Sequence, residues 1–262
     1  MRIRLLAALP LLLTNLAIRC FAQCPTQDPG YNVKAYGAKG DGTTDDTTAI
    51  QNAFNAALSS KGEVCFPPGR YVVTRPLTVT NTGGDTDTGF AQYVDIVQAT
   101  GAPSQLGASF RDFVLSCSNH AANGFRLVNS NSTLVSNVIV ANCNDGLALD
   151  NQGGGWSEKD TILSYRSFEN AVGLLFTSST GNGANSFQFT DADLWCQFTA
   201  SGYTPDACLR VDSGMHLVNS RVRMNVNWTI TPLPSGIHVA GSGSQVFAST
   251  VIFRDDGCGS SY

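Results

Sequence analysis

The sequence predicts an all-β solenoid, a single stack of short parallel strands with one α-helix closing its N-terminal end. A pattern of small residue, apolar, any residue, apolar recurs five times from about residue 120. Its copies are Gly124-Phe125-Arg126-Leu127, Gly146-Leu147-Ala148-Leu149, Gly173-Leu174-Leu175-Phe176, Cys208-Leu209-Arg210-Val211 and Gly236-Ile237-His238-Val239. A second alternating run follows each copy, at 134–140, 162–168, 187–194, 217–224 and 246–253. The composition agrees. Charged residues are only 14%, Gly numbers 26, and Glu occurs only at 63, 158 and 169, which suits turns and strands better than helix faces.

The first apolar positions, 125, 147, 174, 209 and 237, step by 22, 27, 35 and 28 residues. Each unit therefore holds at least two period-2 strands joined by Asn/Gly/Ser turns. One such unit cannot bury its apolar face alone, whereas coils stacked about 4.8 Å apart close a common core and pair their backbones. An antiparallel sandwich also spaces strands regularly, but like residues recur from coil to coil, which favours the solenoid. The step of 35 needs an insertion, which 197–207 supplies.

Residues 1–22 read as a secretory signal, with Arg2 and Arg4 before the apolar run 5–13 and Phe21-Ala22 before a cut at Gln23. The run is shorter than the ~20 residues of a membrane span, and Asn15 and Arg19 interrupt it. A secreted protein, extracellular or periplasmic and without stable membrane insertion, is expected. Residues 23–262 read as one domain, with cap and first coil over 31–80 and repeated coils over about 106–262. Between 47 and 58, apolar residues at 49, 50, 53, 54, 57 and 58 mark one helix face, with Asp45 or Asp46 as N-cap. Short strands around Val64 and Tyr71 flank a Pro67-Pro68-Gly69 turn. Such a helix covers the open end of a solenoid core.

Eight cysteines in an exported chain point to disulfides. Cys196–Cys208, bracketing a loop, is the first expectation; Cys24–Cys65 and Cys117–Cys143 follow. No cysteine or histidine spacing suits zinc. A net charge of −4 without any basic block argues against a nucleic-acid partner.

The stretch Tyr36-Gly37-Ala38-Lys39-Gly40-Asp41-Gly42-Thr43-Thr44-Asp45-Asp46-Thr47-Thr48-Ala49-Ile50-Gln51, followed by Phe66-Pro67-Pro68-Gly69-Arg70-Tyr71, resembles the opening of the pectate-lyase-like superfamily. That group includes polygalacturonases, rhamnogalacturonases, exo-glucanases and phage tailspikes. The resemblance covers 31–75 closely and the coils in style. It implies a single-stranded right-handed parallel β-helix, a polysaccharide partner and a groove along one face. Within it Asp45 and Asp46 are structural caps, not a catalytic pair.

Polygalacturonase-type members place Asn-Thr-Asp, Asp-Asp, Gly-His-Gly and Arg-x-Lys on successive coils. Here those positions hold Ala121-Ala122-Asn123, Asn144-Asp145, Ala171-Val172-Gly173 and Leu209-Arg210-Val211, so only Asp145 keeps its acid. Asn cannot ionise, and a hydrolase site of this kind needs rearranged carboxylates. Asp150 and Asp212 follow the inner pairs of the second and fourth copies, two coils or roughly 10 Å apart by strand spacing. Asp145, Asp150 and Asp212 are the catalytic candidates, against the plain alternative of turn residues bonding local backbone. Arg126, Arg210 and His238 share one outer face as substrate-binding candidates. Among the aromatics, Tyr165, Trp195, Phe198, Tyr203 and Trp228 suit sugar stacking, with Trp195 and Tyr203 preferred beside the insertion. A lyase instead needs Ca²⁺, for which Asp191 and Asp193 on one strand face are the candidates, with Asp206 and Asp212 near the next coil; otherwise no cofactor is expected. The overall reading is a polysaccharide hydrolase rather than a lyase. The alternatives are a non-catalytic carbohydrate-binding or surface protein and a C-terminally truncated relative. A further coil would begin at Asp255-Asp256-Gly257-Cys258, and a monomer or a homotrimer that buries this end is expected.

Overall fold

Phe125, Leu147, Leu174, Leu209 and Ile237 stand in register on neighbouring parallel strands, so the repeated apolar position forms one continuous inner row. The computed structural model describes residues 30–60, 64–75, 77–81, 94–98, 109–117, 123–181, 186–199, 204–228 and 234–255. The signal segment 1–22 lies outside these residues. Among the described residues three parallel sheets build the solenoid, the second of them present only from Ser157 on. Sheet I has seven strands: Leu77–Asn81, Val94–Gln98, Asn123–Val128, Asp145–Asp150, Val172–Thr177, Ala207–Val211 and Ser235–Val239. Its first two precede the coil expected to open the repeat. Sheet II has four, Ser157–Glu158, Ser186–Gln188, His216–Val218 and Gln245–Phe247. Sheet III has six: Ser109–Ser116, Leu134–Ala141, Thr161–Phe168, Asp191–Phe198, Arg221–Trp228 and Thr250–Asp255.

Three of the runs that read as single strands each turn a corner from sheet II to sheet III. The break falls at Phe189, Asn219 and Ala248, all in the left-handed region with φ of 56°, 48° and 50°. The next residue in each corner builds a polar ladder. Thr190 N–H donates to Ser220 Oγ at 3.1 Å, and Ser220 N–H donates to Ser249 Oγ at 3.0 Å. In the earlier coil Thr133 N–H donates to Asp160 Oδ1 at 3.0 Å. Backbone groups turned inward at the corners are thereby satisfied.

The core is aliphatic and aromatic, with Phe110 stacked edge-on against Phe125 and Phe176 against Phe187. Disulfides Cys117–Cys143 and Cys196–Cys208 cross-link it, as the sequence leads one to expect. Cys65 is also disulfide-bonded; its expected partner, Cys24, lies outside the described residues. On the terminal coil Ile237, Val239 and Phe247 remain exposed. Phe198 is fully buried and Tyr165 fully enclosed, its hydroxyl donating to Gly173 O at 3.0 Å, so neither is a sugar platform.

Gly146 shows why a small residue opens the repeat. A Cβ there would lie 2.4 Å from Tyr165 Oη and 2.8 Å from both Asn170 Nδ2 and Gly173 O. The requirement is space within the core. Gly146→Ala is expected to lower unfolding free energy by about 1–3 kcal/mol, the usual result of overpacking. Chemical denaturation checks this, and an unchanged midpoint would mean that Tyr165 and Asn170 give way freely.

The N-terminal helix, Thr47–Ser60, buries Ile50, Ala53, Phe54 and Ala57 against the first coil. The two aspartates before it divide the work. Asp45 accepts from Thr47 N–H at 3.0 Å and from the Thr47 and Thr74 hydroxyls. Asp46, although next to the helix, turns away and accepts from the N–H groups of Lys39 and Gly40 at 2.6 and 3.0 Å. It pins the preceding turn, where Gly40 (φ 63°) lies against the Tyr71 ring. The pair is structural, but only Asp45 caps through its side chain.

Candidate active site

Alternation along sheet I turns every second residue outward. Arg126, Ala148, Leu175, Arg210 and His238 form one outward row, in register across five strands. Ala148 and Leu175, with Val172, make a buried apolar cluster separate from the core. At about 4.8 Å per strand, Arg126 and Arg210 stand roughly 14 Å apart on either side of this floor.

Asp145 lies at the edge of the floor, in register with Val172 and, through it, with Ala207. Asn144 Nδ2 donates to its Oδ1 at 3.1 Å. Burial pushes the Asp145 carboxyl up to about 6; the Asn144 hydrogen bond and Arg210 oppose the rise, and the charges of Asp206 and Asp212 add to it. Two coils along, Asp206 immediately precedes Ala207. It accepts from Arg210 Nη1 at 2.7 Å and lies 2.6 Å from His238 Nδ1. Arg210 also donates from Nε and Nη2 to Asp212, at 3.1 and 2.7 Å. Burial works against the Arg210 charge, but the Asp206 and Asp212 hydrogen bonds outweigh it and hold its pKa above the usual value. Arg210, Asp206, Asp212 and His238 thus form one connected polar group whose charges act on Asp145 through Arg210, Asp206 and Asp212.

The carboxylate pair expected from Asp150 and Asp212 does not form. Asp150 is fully buried and receives five donors: Arg126 Nε and Nη2 at 2.9 and 2.6 Å, Gln152 Nε2 at 2.7 Å, and Ser179 N–H and Oγ at 2.8 and 2.6 Å. The neighbouring strand brings Arg126 over Asp150 and closes it off, so Asp150 anchors the rim. Asp212 belongs to the polar group but orients Arg210. Ser179 and Gln152 are not singled out by the sequence. Both come from the turns after sheet I, where no pattern marks them.

The other candidates lie elsewhere. Trp195 projects from sheet III, not from the insertion beside sheet I, because strand Asp191–Phe198 alternates with Trp195 outward. Tyr203 lies outside the described residues. Asp191 is engaged by Arg221 and lies 3.6 Å from Arg223 Nη1, and both arginines flank the Asp191/Asp193 face. A cation there would meet two guanidinium groups, so this donor set does not fit Ca²⁺. Among the described residues no group of three or more His, Cys, Asp or Glu side chains is placed to hold a metal ion.

Residues 30–86 match the family model described as "Rhamnogalacturonase A/epimerase, pectate lyase-like". The chain fits the pectate-lyase-like superfamily. It is 58% identical across 45 residues to "Alginate lyase 7" of Azotobacter vinelandii, covering 17% of this chain and 5% of that protein. It is 43% identical across 56 residues to a "Probable glucan endo-1,3-beta-glucosidase" of Arthroderma benhamiae, covering 18% of this chain and 6% of that protein. The matches thus span about a twentieth of the length of these curated relatives. Among solved structures, the surface adhesin PfbA of Streptococcus pneumoniae aligns over 87% of this chain and 79% of its own, with TM-score 0.43 and 15% identity. The catalytic unit of the GH87 alpha-1,3-glucanase of Streptomyces thermodiastaticus aligns over 87% and 52%, with TM-score 0.41 and 16% identity. The matched segment holds the N-terminal helix and the first strand of sheet I; the Asp145 group lies wholly in coils beyond it.

Proposed function

We propose that this chain is an exported polysaccharide hydrolase that acts on an acidic, pectin-like glycan laid along the outer face of sheet I. The carrying observation is the placement of the Asp145 carboxyl at an apolar edge, where the charges of Arg210, Asp206 and Asp212 act on it. A carboxyl that keeps its proton up to about pH 6 is a suitable general acid in mildly acidic solution. Asp145 protonates the glycosidic oxygen as the C1–O bond breaks. Asp206, whose backbone is two coils or roughly 10 Å away, takes the proton of the attacking water on the opposite face. Carboxyl groups ~6.5–9.5 Å apart serve inversion, leaving room for that water, and a backbone spacing of roughly 10 Å is close to that range. Arg210 and His238 offer donors to uronate carboxylates, and Leu175 and Ala148 exclude water beneath the bond. Elimination is disfavoured because Arg210, two carboxylates on its guanidinium, holds its proton. The disulfides fit an oxidising, extracellular or periplasmic setting.

The test is incubation of the purified protein with polygalacturonate, alginate and neutral β-glucans, with Ca²⁺ or with chelator. Reducing ends and unsaturated-product absorbance are followed together. Reducing ends without unsaturation are expected. Unsaturation lost on chelation would replace this reading with a metal-dependent lyase. No product from folded protein would favour a carbohydrate-binding role.

A further inference from the structure

We propose that the outer face of sheet III holds a second saccharide-binding site, in which one pyranose unit of a polysaccharide stacks on Trp195 between Arg166 and Asp193. The site lies on a different sheet from Asp145 and does not depend on that chemistry. A groove of about 490 Å³ opens there, lined by Arg166, Phe168, Asp193, Trp195 and Asn225 among others. That volume lies in the range of small-ligand sites, ~300–1,000 Å³. Arg166, Trp195 and Asn225 are in register on three adjacent strands, so the groove runs along the solenoid axis, as a polymer lying on this face requires.

The Trp195 ring is partly exposed, and Phe168 meets it edge-on with centroids 4.9 Å apart, which fixes the plane of the indole. A fixed indole offers a flat apolar face of the kind that a pyranose C–H face covers. The polar groups beside it are available. Asp191, Arg221 and Arg223 on the same sheet are tied to one another. The Arg166 and Asp193 side chains meet no hydrogen-bond or ion-pair partner among the described residues. One supplies only donors and the other accepts, which together suit a pair of ring hydroxyls. An apolar protein partner would leave both unpaired on burial, so the mixed lining favours a sugar.

The test uses intrinsic fluorescence, since the chain has 3 Trp residues, Trp156, Trp195 and Trp228. The protein is titrated with oligogalacturonate, oligoalginate and laminari-oligosaccharides in turn. At least one is expected to shift the emission. Trp195→Phe should abolish the shift, whereas Trp156→Phe and Trp228→Phe should keep it. Arg166→Ala, at an exposed side chain whose loss does not threaten folding, should weaken binding about tenfold. A shift that survives in Trp195→Phe overturns the proposal, as does no shift with any of the three probes. The two readings separate cleanly. Reducing-end release without a Trp195 signal removes this site and leaves the hydrolase. A Trp195 signal without cleavage leaves this site and removes the hydrolase.

Discussion

Asp145→Asn is expected to lower turnover of the susceptible polysaccharide by ~10²–10⁴-fold, the usual worth of a general acid. The fold should survive. The Asn side chain is isosteric, its neighbour Val172 is apolar, and removing a carboxyl from a mostly buried position removes a desolvation penalty. The same burial sets the pH dependence. The acid must carry its proton, so wild-type activity should decline as pH rises through about 6, where Asp145 titrates. Stability should move in the same direction. A carboxyl whose folded pKa is raised contributes most below its unfolded value near 3.8, and that contribution is lost as pH rises through about 6. Relative to wild type, the variant should therefore be at least as stable at pH 7. Kinetics on the substrate identified by reducing-end release, paired with thermal melts, measures both. Undiminished turnover in a folded variant would take Asp145 out of the mechanism.

The parts legible from sequence and the parts that were not differ in their physical origin. The inner row of Phe125, Leu147, Leu174, Leu209 and Ile237 was legible because a solenoid repeats one environment per coil, and that environment accepts only apolar side chains. The corners were not, because the residue at each break needs only a backbone conformation. Asn219 is a residue that enters the left-handed region readily, but Phe189 and Ala248 are not. Two sheets therefore read as one alternating run. The outward face of sheet I was legible as a set of side chains, since alternation alone places Arg126, Arg210 and His238 there. Their partners were not. Asp150 is 24 residues from Arg126 and is taken by it, while Asp206 reaches His238 across 32 residues. Such pairings depend on coil lengths, which vary with every loop. Asp206 carried a weak positional signal, one residue before the strand that aligns with Asp145 through Val172. For Trp195 alternation leaves an outward and a core placement equally open; the structure turns it outward on sheet III, and the insertion that follows it lies next in sequence and not next in space.

Asp160 carries the largest stability effect expected of a single carboxyl here. It sits fully buried at a corner of the solenoid, where later coils use Thr190, Ser220 and Ser249. Ser130 Oγ donates to it at 2.7 Å and Thr133 N–H at 3.0 Å, so it serves as an acceptor in the corner ladder. Burial pushes the Asp160 carboxyl up to about 7, against these hydrogen bonds, with the charge of Glu158 adding to the rise. A group raised in the folded state stabilises fully below its unfolded pKa near 3.8 and loses that contribution as pH rises through about 7. At roughly 1.4 kcal/mol per pH unit of separation, the loss reaches a few kcal/mol by pH 8. Asn at 160 keeps an oxygen for Thr133 N–H and an amide that donates to Ser130 Oγ, while nothing ionises. Asp160→Asn should therefore melt at or slightly below the wild-type temperature at pH 4 and several degrees above it at pH 8. Other titrating carboxyls, Asp145 among them, are common to both proteins and cancel in the difference. Thermal melts from pH 4 to pH 8 give that difference directly. Curves that stay parallel would show that the corner tolerates the charge, and that water or a shifted loop reaches Asp160 when it ionises.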